Sequence, residues 1–299
     1  NENVIATGSL DKTVCLWDSK SGTQISSIDV SDPCVNLQWS PDGTSIVTLL
    51  ELEGNNGGSI INIIDTRMMD SNRQTPRRIR YPEMIQDIVF SACGKNLFLA
   101  SSRGFPTNVN GYGVVEVVGY CPTPEPKQSA LRKLHTLEGN PAPISSLAIS
   151  PSGDMLISGG EDSLVQLWGL KNLECVGALE VFDGPLLSLS VSFDGQYVAA
   201  AAEEESLSVV DLVDSEVVYK EEKMLTPATP EADATFEKTI ASCVDWHPSK
   251  LLLAVSLETL RSSISSSTPC IKVVSFGDPI NYSDGEEEWE DEYDDQLSE

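Results

Sequence analysis

An all-β chain, assembled from repeated four-stranded antiparallel units, is the fold class that this sequence predicts, on three observations. The first is the stretch Pro143 to Leu179, which divides into four short Ile-, Leu- and Val-rich runs. Turn formers separate them: Pro151-Ser152-Gly153, then Gly159-Gly160-Glu161-Asp162, then Gly169-Leu170-Lys171-Asn172. Apolar residues alternate within the runs, as in half-buried strands. The second is a recurring turn: LQWSPDG (Leu37 to Gly43), IVFSACG (Ile88 to Gly94), LAISPSG (Leu147 to Gly153), LSVSFDG (Leu189 to Gly195) and VDWHPSK (Val244 to Lys250). The third is a shared ending to the third run of a unit, seen as Cys15-Leu16-Trp17-Asp18, Ile63-Ile64-Asp65 and Leu167-Trp168-Gly169.

A four-stranded sheet this small has two open edges and cannot bury its faces unaided, so the copies must pack on one another. The turns begin at residues 40, 91, 150, 192 and 247. Only the interval of 42 falls in the range of about 40–45 for WD40 units, and the longer ones carry insertions. With its repeated turns and Trp-Asp endings the chain resembles the WD40 β-propellers, whose blades pack radially around a central channel. The resemblance implies a hydrogen-bonded set of Asp, Ser or Thr, His and Trp in regular blades. Ser158, Asp162 and Trp168 match it, with Asn140 at the His position; Thr7, Asp11 and Trp17 match in the first unit, and Asp65 keeps the Asp in the second. All are expected to be structural.

In chain order, residues 1–28 open inside a blade, with Val4–Thr7, Lys12–Trp17 and Gln24–Ile28 as its second, third and fourth strands. The expectation is a propeller seven-bladed in the full protein, with the first blade or more missing from this chain. The second unit, Cys34 to about Tyr81, carries a Gly-rich insertion (Gly54 to Gly58) and then Arg67, Arg73, Arg77, Arg78 and Arg80, the densest positive charge in the chain. These arginines read either as a solvated loop and outer strand or as a contact for an acidic partner or an RNA backbone.

The third unit, Met84 to about Leu134, is degenerate. Its third strand, Val114–Val118, ends in Gly-Tyr, and Pro122, Pro124 and Pro126 follow in a stiff connector. His135 is placed in the linker beyond. The fifth unit (Pro185 to Glu222) is followed by Met224–Asp233, a polar segment with two Thr-Pro pairs that reads as a loop. The sixth has Cys243–Pro248, Leu251–Val255, a Ser-rich insertion and Ile271–Phe276, with no fourth strand. That pattern suits a last blade completed by the chain's beginning. The expected organisation is a propeller over 1–280 and an acidic, disordered tail over 281–299.

Net charge is −27, and residues 284–299 hold ten acids and no base. The remaining chain is still strongly acidic, which excludes broad affinity for nucleic-acid phosphates; RNA association is indirect, weak or local. Seven cysteines without a C-x-x-C pair read as small buried hydrophobes in a reducing compartment. No apolar run approaches the roughly 18 residues of a membrane span, and no signal peptide is visible. Two histidines, His135 and His247, and no phosphate loop, zinc-ligand spacing or nucleophile elbow argue against a catalytic reading, with a propeller hydrolase as the minor enzyme alternative. No cofactor, metal or small-molecule substrate is expected.

A closer resemblance rests on Gly160-Glu161-Asp162-Ser163-Leu164-Val165-Gln166-Leu167-Trp168 followed by Leu173-Glu174-Cys175-Val176. Trp39-Ser40-Pro41-Asp42-Gly43, Phe193-Asp194-Gly195 and Asp245-Trp246-His247-Pro248 accompany it in the same order. Over about residues 1–276 the chain resembles the WD40 subunits of the THO complex. The resemblance implies a nuclear, non-catalytic scaffold subunit of the THO/TREX assembly, which couples transcription elongation to mRNA processing and export. Its partners would be other THO/TREX subunits, above all a long helical scaffold subunit, in an assembly that recruits a DEAD-box helicase. An alternative follows from Ile64-Asp65-Thr66-Arg67, a weak version of the Trp-Asp-x-Arg ending of cullin-4 ubiquitin-ligase substrate receptors.

Overall fold

The structure, a computed structural model, describes residues 3–52, 58–68, 76–103, 111–121, 130–180, 182, 184–203, 206–222, 237–261 and 268–276. Most of the Gly-rich insertion, Arg73, the Pro-rich connector, the Thr-Pro segment, the Ser-rich insertion and the expected tail lie outside the described residues.

Among the described residues twenty-two strands form six antiparallel sheets in chain order. Sheet 1 holds β1 (Val4–Gly8), β2 (Thr13–Asp18) and β3 (Gln24–Asp29); sheet 2 holds β4 (Cys34–Trp39), β5 (Ser45–Glu51), β6 (Ser59–Asp65) and β7 (Arg77–Tyr81). Sheet 3 holds β8 (Met84–Phe90), β9 (Asn96–Arg103), β10 (Tyr112–Tyr120) and β11 (Leu131–Asn140). Sheet 4 holds β12 (Ile144–Ile149), β13 (Met155–Gly160), β14 (Val165–Gly169) and β15 (Glu174–Leu179). Sheet 5 holds β16 (Leu186–Val191), β17 (Tyr197–Ala202), β18 (Ser206–Asp211) and β19 (Val217–Glu222), and sheet 6 holds β20 (Glu237–Trp246), β21 (Leu252–Arg261) and β22 (Thr268–Ser275). This is a six-bladed β-propeller of up-and-down sheets.

The core is divided among the interfaces between neighbouring sheets. Val14, Leu16, Ile46 and Ile64 fill the first, Val47, Ile61, Ile88 and Leu99 the second, and Phe98, Val115, Leu147 and Trp168 the third. Ile157, Leu189, Val198 and Val210 fill the fourth, and Ala201, Val209, Trp246 and Val255 the fifth. Each fully buried Ile or Leu contributes about 1.5–3 kcal/mol, so each sheet is held by the neighbour whose inward-facing residues it covers.

The recurring turn works through its serine and glycine. Ser40 Oγ accepts from Ser45 N–H at 3.0 Å and donates to the same residue's carbonyl. Ser91, Ser150 and Ser192 accept in the same way from Asn96, Met155 and Tyr197, and all four serines are buried. The glycine three residues on takes a left-handed φ of +72° at Gly153, where a Cβ would stand 2.6 Å from Ala92 Cβ of the preceding turn. Successive turns therefore touch one another around one rim. In sheet 6 His247 replaces the serine, its Nδ1 accepting from Ser249 N–H at 3.1 Å.

Three expectations are corrected. The last sheet is not completed by the chain's beginning, because β1, β2 and β3 pair with one another as a separate sheet. His135 is not in a linker but on β11, whose pairing with β10 shifts register twice and so obscures its strand period. Of the cysteines only Cys34 is buried; Cys93 sits in a turn, Cys175 on the outermost strand of sheet 4 and Cys243 on the innermost strand of sheet 6, all exposed.

Candidate interaction surfaces

The innermost strands of sheets 2–6 surround a channel of about 750 Å³. Each of them carries a bulge at the same place, between Cys34 and Asn36, Ile85 and Asp87, Ile144 and Ser146, Leu186 and Ser188, and Ala241 and Cys243. A bulge leaves one residue unpaired and turns its neighbours. The unpaired residues, Val35, Gln86, Ser145, Leu187 and Ser242, line the channel.

In sheets 2–5 the residue after the bulge reaches across to the next sheet. Asn36 Nδ2 donates to Asp87 Oδ1 at 2.6 Å, and Asp87 Oδ2 accepts from Leu147 N–H at 2.7 Å. Ser146 Oγ accepts from Leu189 N–H at 3.1 Å, and Ser188 Oγ from Val244 N–H at 3.2 Å. Burial pushes the Asp87 carboxyl up to about 6, against the Leu147, Ile88 and Asn36 donors that favour its charged form. Ser190 Oγ donates to Asp245 Oδ1 at 3.0 Å, so both channel carboxylates are engaged between sheets and serve to position them. Reasoning from the sequence missed this ring. Its signal was a small polar residue two places after an apolar one at the head of each unit, as in Cys34-Val35-Asn36 and Ile85-Gln86-Asp87.

The residues expected to form the repeat's hydrogen-bonded set divide into separate contacts. Trp17 Nε1 donates to Thr7 Oγ1, and Trp168 Nε1 to Ser158 Oγ, both at 2.9 Å. Ser158 in turn donates to Asn140 Oδ1 at 3.2 Å. The two aspartates close their own turns instead: Asp11 accepts from Thr13 N–H at 2.9 Å and Asp162 from Leu164 N–H at 3.1 Å. The Thr13 hydroxyl and the other donors around Asp11 hold its carboxyl below the usual range, whereas burial raises that of Asp162.

In register, the indole positions of the other sheets are Ile64, Val118, Val210 and Val274, each opposite the residue two places before Thr48, Leu99, Ala200 and Val255. Sheets 3, 5 and 6 have thus replaced both partners by apolar groups. Sheet 2 has replaced one, and Thr48, fully buried, keeps a hydroxyl without a hydrogen-bond partner.

Of the arginines, Arg67 lies in a 3-10 turn after β6 and clasps Asp65, Nε to Oδ1 at 2.9 Å and Nη2 to Oδ2 at 2.6 Å. That clasp holds the Asp65 carboxyl below its usual range. Arg77, Arg78 and Arg80 come together, exposed, on the outermost strand β7. Arg78 Nη2 lies 3.2 Å from Asp32 Oδ2, while Arg77 and Arg80 make no ion pair among the described residues. Among the described residues no group of three or more His, Cys, Asp or Glu is placed to hold a metal ion, and no helix is long and apolar enough to cross a membrane.

A family model for the WD domain, G-beta repeat, matches residues 1–18 and 131–169. These segments contain β1 and β2 of sheet 1 and β12, β13 and β14 of sheet 4, the strands that carry the two intact indole–hydroxyl bonds. THO complex subunit 3 of Arabidopsis thaliana is 24% identical over 276 residues, 92% of this chain and 75% of that protein. WD repeat-containing protein AAC3 of Dictyostelium discoideum is 24% identical over 278 residues, 92% of this chain but only 50% of that protein. Pre-mRNA-processing factor 19 of Bos taurus is 23% identical over 137 residues, 46% of this chain and 25% of that protein. Among solved structures, the β-propeller domain of Myceliophteria thermophila Cps50 (Swd1) superposes with a TM-score of 0.63 at 15% identity, covering 87% of this chain and 80% of that one, a likeness of fold.

Proposed function

From a β-propeller that carries WD40 repeats in its first and fourth sheets, we propose a non-catalytic scaffold subunit of a nuclear THO/TREX-type complex, acting in the packaging and export of mRNA. The observation that carries the reading is the match to THO complex subunit 3 along 92% of the chain, which takes in the degenerate sheets as well as the regular ones. It also takes in 75% of that protein, against 50% of AAC3, which matches 92% of this chain as well.

The geometry supports a role exercised through surfaces. The channel carboxylates are engaged in holding sheets together, and the indole–hydroxyl pairs hold strands. Partners are other subunits of the assembly, among them an elongated helical one, and RNA is reached through them. Fold does not carry function unaided, so the assignment turns on the company the protein keeps.

The test is mass spectrometry of proteins co-purified with the chain from nuclear extract, with and without RNase. Helical THO subunits recovered in a fixed, RNase-resistant ratio are the expected result. Recovery of the cullin-4 adaptor in their absence, lost on Arg67→Ala, would overturn the assignment and leave the propeller intact.

A further inference from the structure

We infer that strand β7 is a docking edge for an acidic, extended peptide segment of a partner protein, which adds to sheet 2 as a fifth strand. The inference deepens the scaffold reading and rests on it only in that a propeller of this kind acts through its surfaces. The outermost strand of a blade presents unpaired N–H and C=O groups along its free edge, a ready template for another strand. On β7 this edge coincides with three exposed arginines in five residues, in a chain of net charge −27.

Charge on an edge strand can also serve only to discourage pairing, but the other outer strands argue against that role for β7. β3 has Asp29 as its single charge and β15 has Glu174, while β19 mixes Lys220 with Glu221 and Glu222. β11 mixes signs too, and its Lys133 is committed to the buried Glu116. Single or mixed charges thus suffice elsewhere. Like charges on neighbouring positions repel one another in the free protein, and an anionic strand relieves that repulsion.

The register sets what the strand must look like. Arg78 and Arg80, opposite Asn62 and Ile60, share one face of the sheet, and Arg77 lies on the other beside Ile79. Same-face residues on a strand are about 6.6–6.8 Å apart, so a peptide with acids at alternate positions meets Arg78 and Arg80 in step. Arg80, without an ion pair among the described residues, offers a bidentate fork to one carboxylate, and Arg78 brings its remaining N–H donors to the other beside Asp32. Backbone pairing supplies affinity and the alternate acids supply choice of sequence. A nucleic-acid strand could satisfy the arginines but has no amide ladder to offer the edge.

The test uses the full chain and three fluorescent probes at low and high salt: a short peptide alternating Glu and Val, the same peptide N-methylated at alternate amides, and single-stranded poly(U). The double variant Arg77→Glu/Arg80→Glu leaves the Arg78–Asp32 pair in place and changes only exposed side chains. Expected is salt-sensitive binding of the Glu-Val peptide, weakened about tenfold or more both by the variant and by N-methylation, with an unchanged melting temperature. Equal binding by the variant overturns the site, and equal binding of the N-methylated peptide overturns strand addition. Poly(U) binding more tightly, with the same sensitivity to the variant, overturns the choice of a protein partner. So does tighter binding of a synthetic copy of residues 283–299, which would give the edge to the chain's own acidic end. All these measurements use purified protein, so they stand whatever co-purifies from nuclear extract.

Discussion

Asn36 Nδ2 donates to Asp87 Oδ1 at 2.6 Å, joining the innermost strands of sheets 2 and 3, and the same carboxylate takes Leu147 N–H from sheet 4. Asp87 is held at about 6 in the fold, against 3.8 for an ordinary aspartate. Between those values the folded chain binds more protons there than the unfolded one, so this residue's contribution to stability falls as pH rises from about 4 to about 6 and stays low above that. The span corresponds to at most about 3 kcal/mol, less whatever water in the channel recovers. Asp87→Asn removes the titration and keeps one carbonyl acceptor. The variant's melting temperature minus the native value should therefore rise between pH 4 and pH 7. Turn carboxylates such as Asp42 and Asp154, whose pKa is lowered by their serine partners, lose stabilisation as pH falls, but do so in both proteins. A flat difference would show that Asp87 is not desolvated.

Ser158→Ala strips the acceptor from Trp168 Nε1 and the donor from Asn140 at a site where Ser158 is fully buried. A loss of about 1–3 kcal/mol is expected, the cost of a stranded buried polar group. Thr7→Ala breaks the same bond in sheet 1, where Thr7 is exposed and water can substitute, and should cost clearly less. Urea unfolding followed by tryptophan fluorescence compares the two, and equal losses would contradict this account.

Thr48 is the half-converted case. Its buried hydroxyl has lost the indole that Ile64 replaces. Thr48→Val should therefore leave stability unchanged or raise it by about 1 kcal/mol, because the shape is kept and an unsatisfied hydroxyl goes. A drop in the urea midpoint would reveal a partner for the hydroxyl.

Gly153 and Gly22 both have left-handed φ, +72° and +66°, but a Cβ on Gly22 would meet nothing within 4 Å, whereas on Gly153 it would press on Ala92. Both changes to Ala carry a backbone cost of about 1–2 kcal/mol. Gly153→Ala should exceed Gly22→Ala by a further 1 kcal/mol or so, the overpacking of one turn on the next. Thermal unfolding of the two variants gives the difference directly.

These sites differ in how far the sequence disclosed them, and the difference is one of range. The turns at Ser40, Ser91, Ser150 and Ser192 were legible because their serine and glycine act within five residues of one another. Trp17 and Trp168 were legible as repeat endings. The sheet-to-sheet bonds were not, since Asn36 meets Asp87 across 51 positions and Asp87 meets Leu147 across 60, and the residues concerned are ordinary strand polars. The sequence ends the third unit near Leu134 and puts His135 in a linker because Arg132, Lys133 and His135, three polar residues in four, break the alternation that marks a strand. The arginines of β7 were visible as charge, but that they occupy an edge depends on where the chain places the sheet.

Each sheet is fastened by apolar contact to the sheets beside it in sequence, channel hydrogen bonds join sheets 2–6, and among the described residues no hydrogen bond joins sheet 6 to sheet 1. Large aliphatic residues on those end sheets stand open to solvent, Ile271 at 74% and Val273 at 64% in sheet 6, Ile5 at 53% in sheet 1. Thermodynamically such a ring is a short linear lattice whose sites couple only to nearest neighbours. Unfolding of one sheet should therefore loosen its immediate neighbours first. Amide exchange will be slowest in sheets 3 and 4, which have neighbours on both sides and are crossed by the Asp87 bonds.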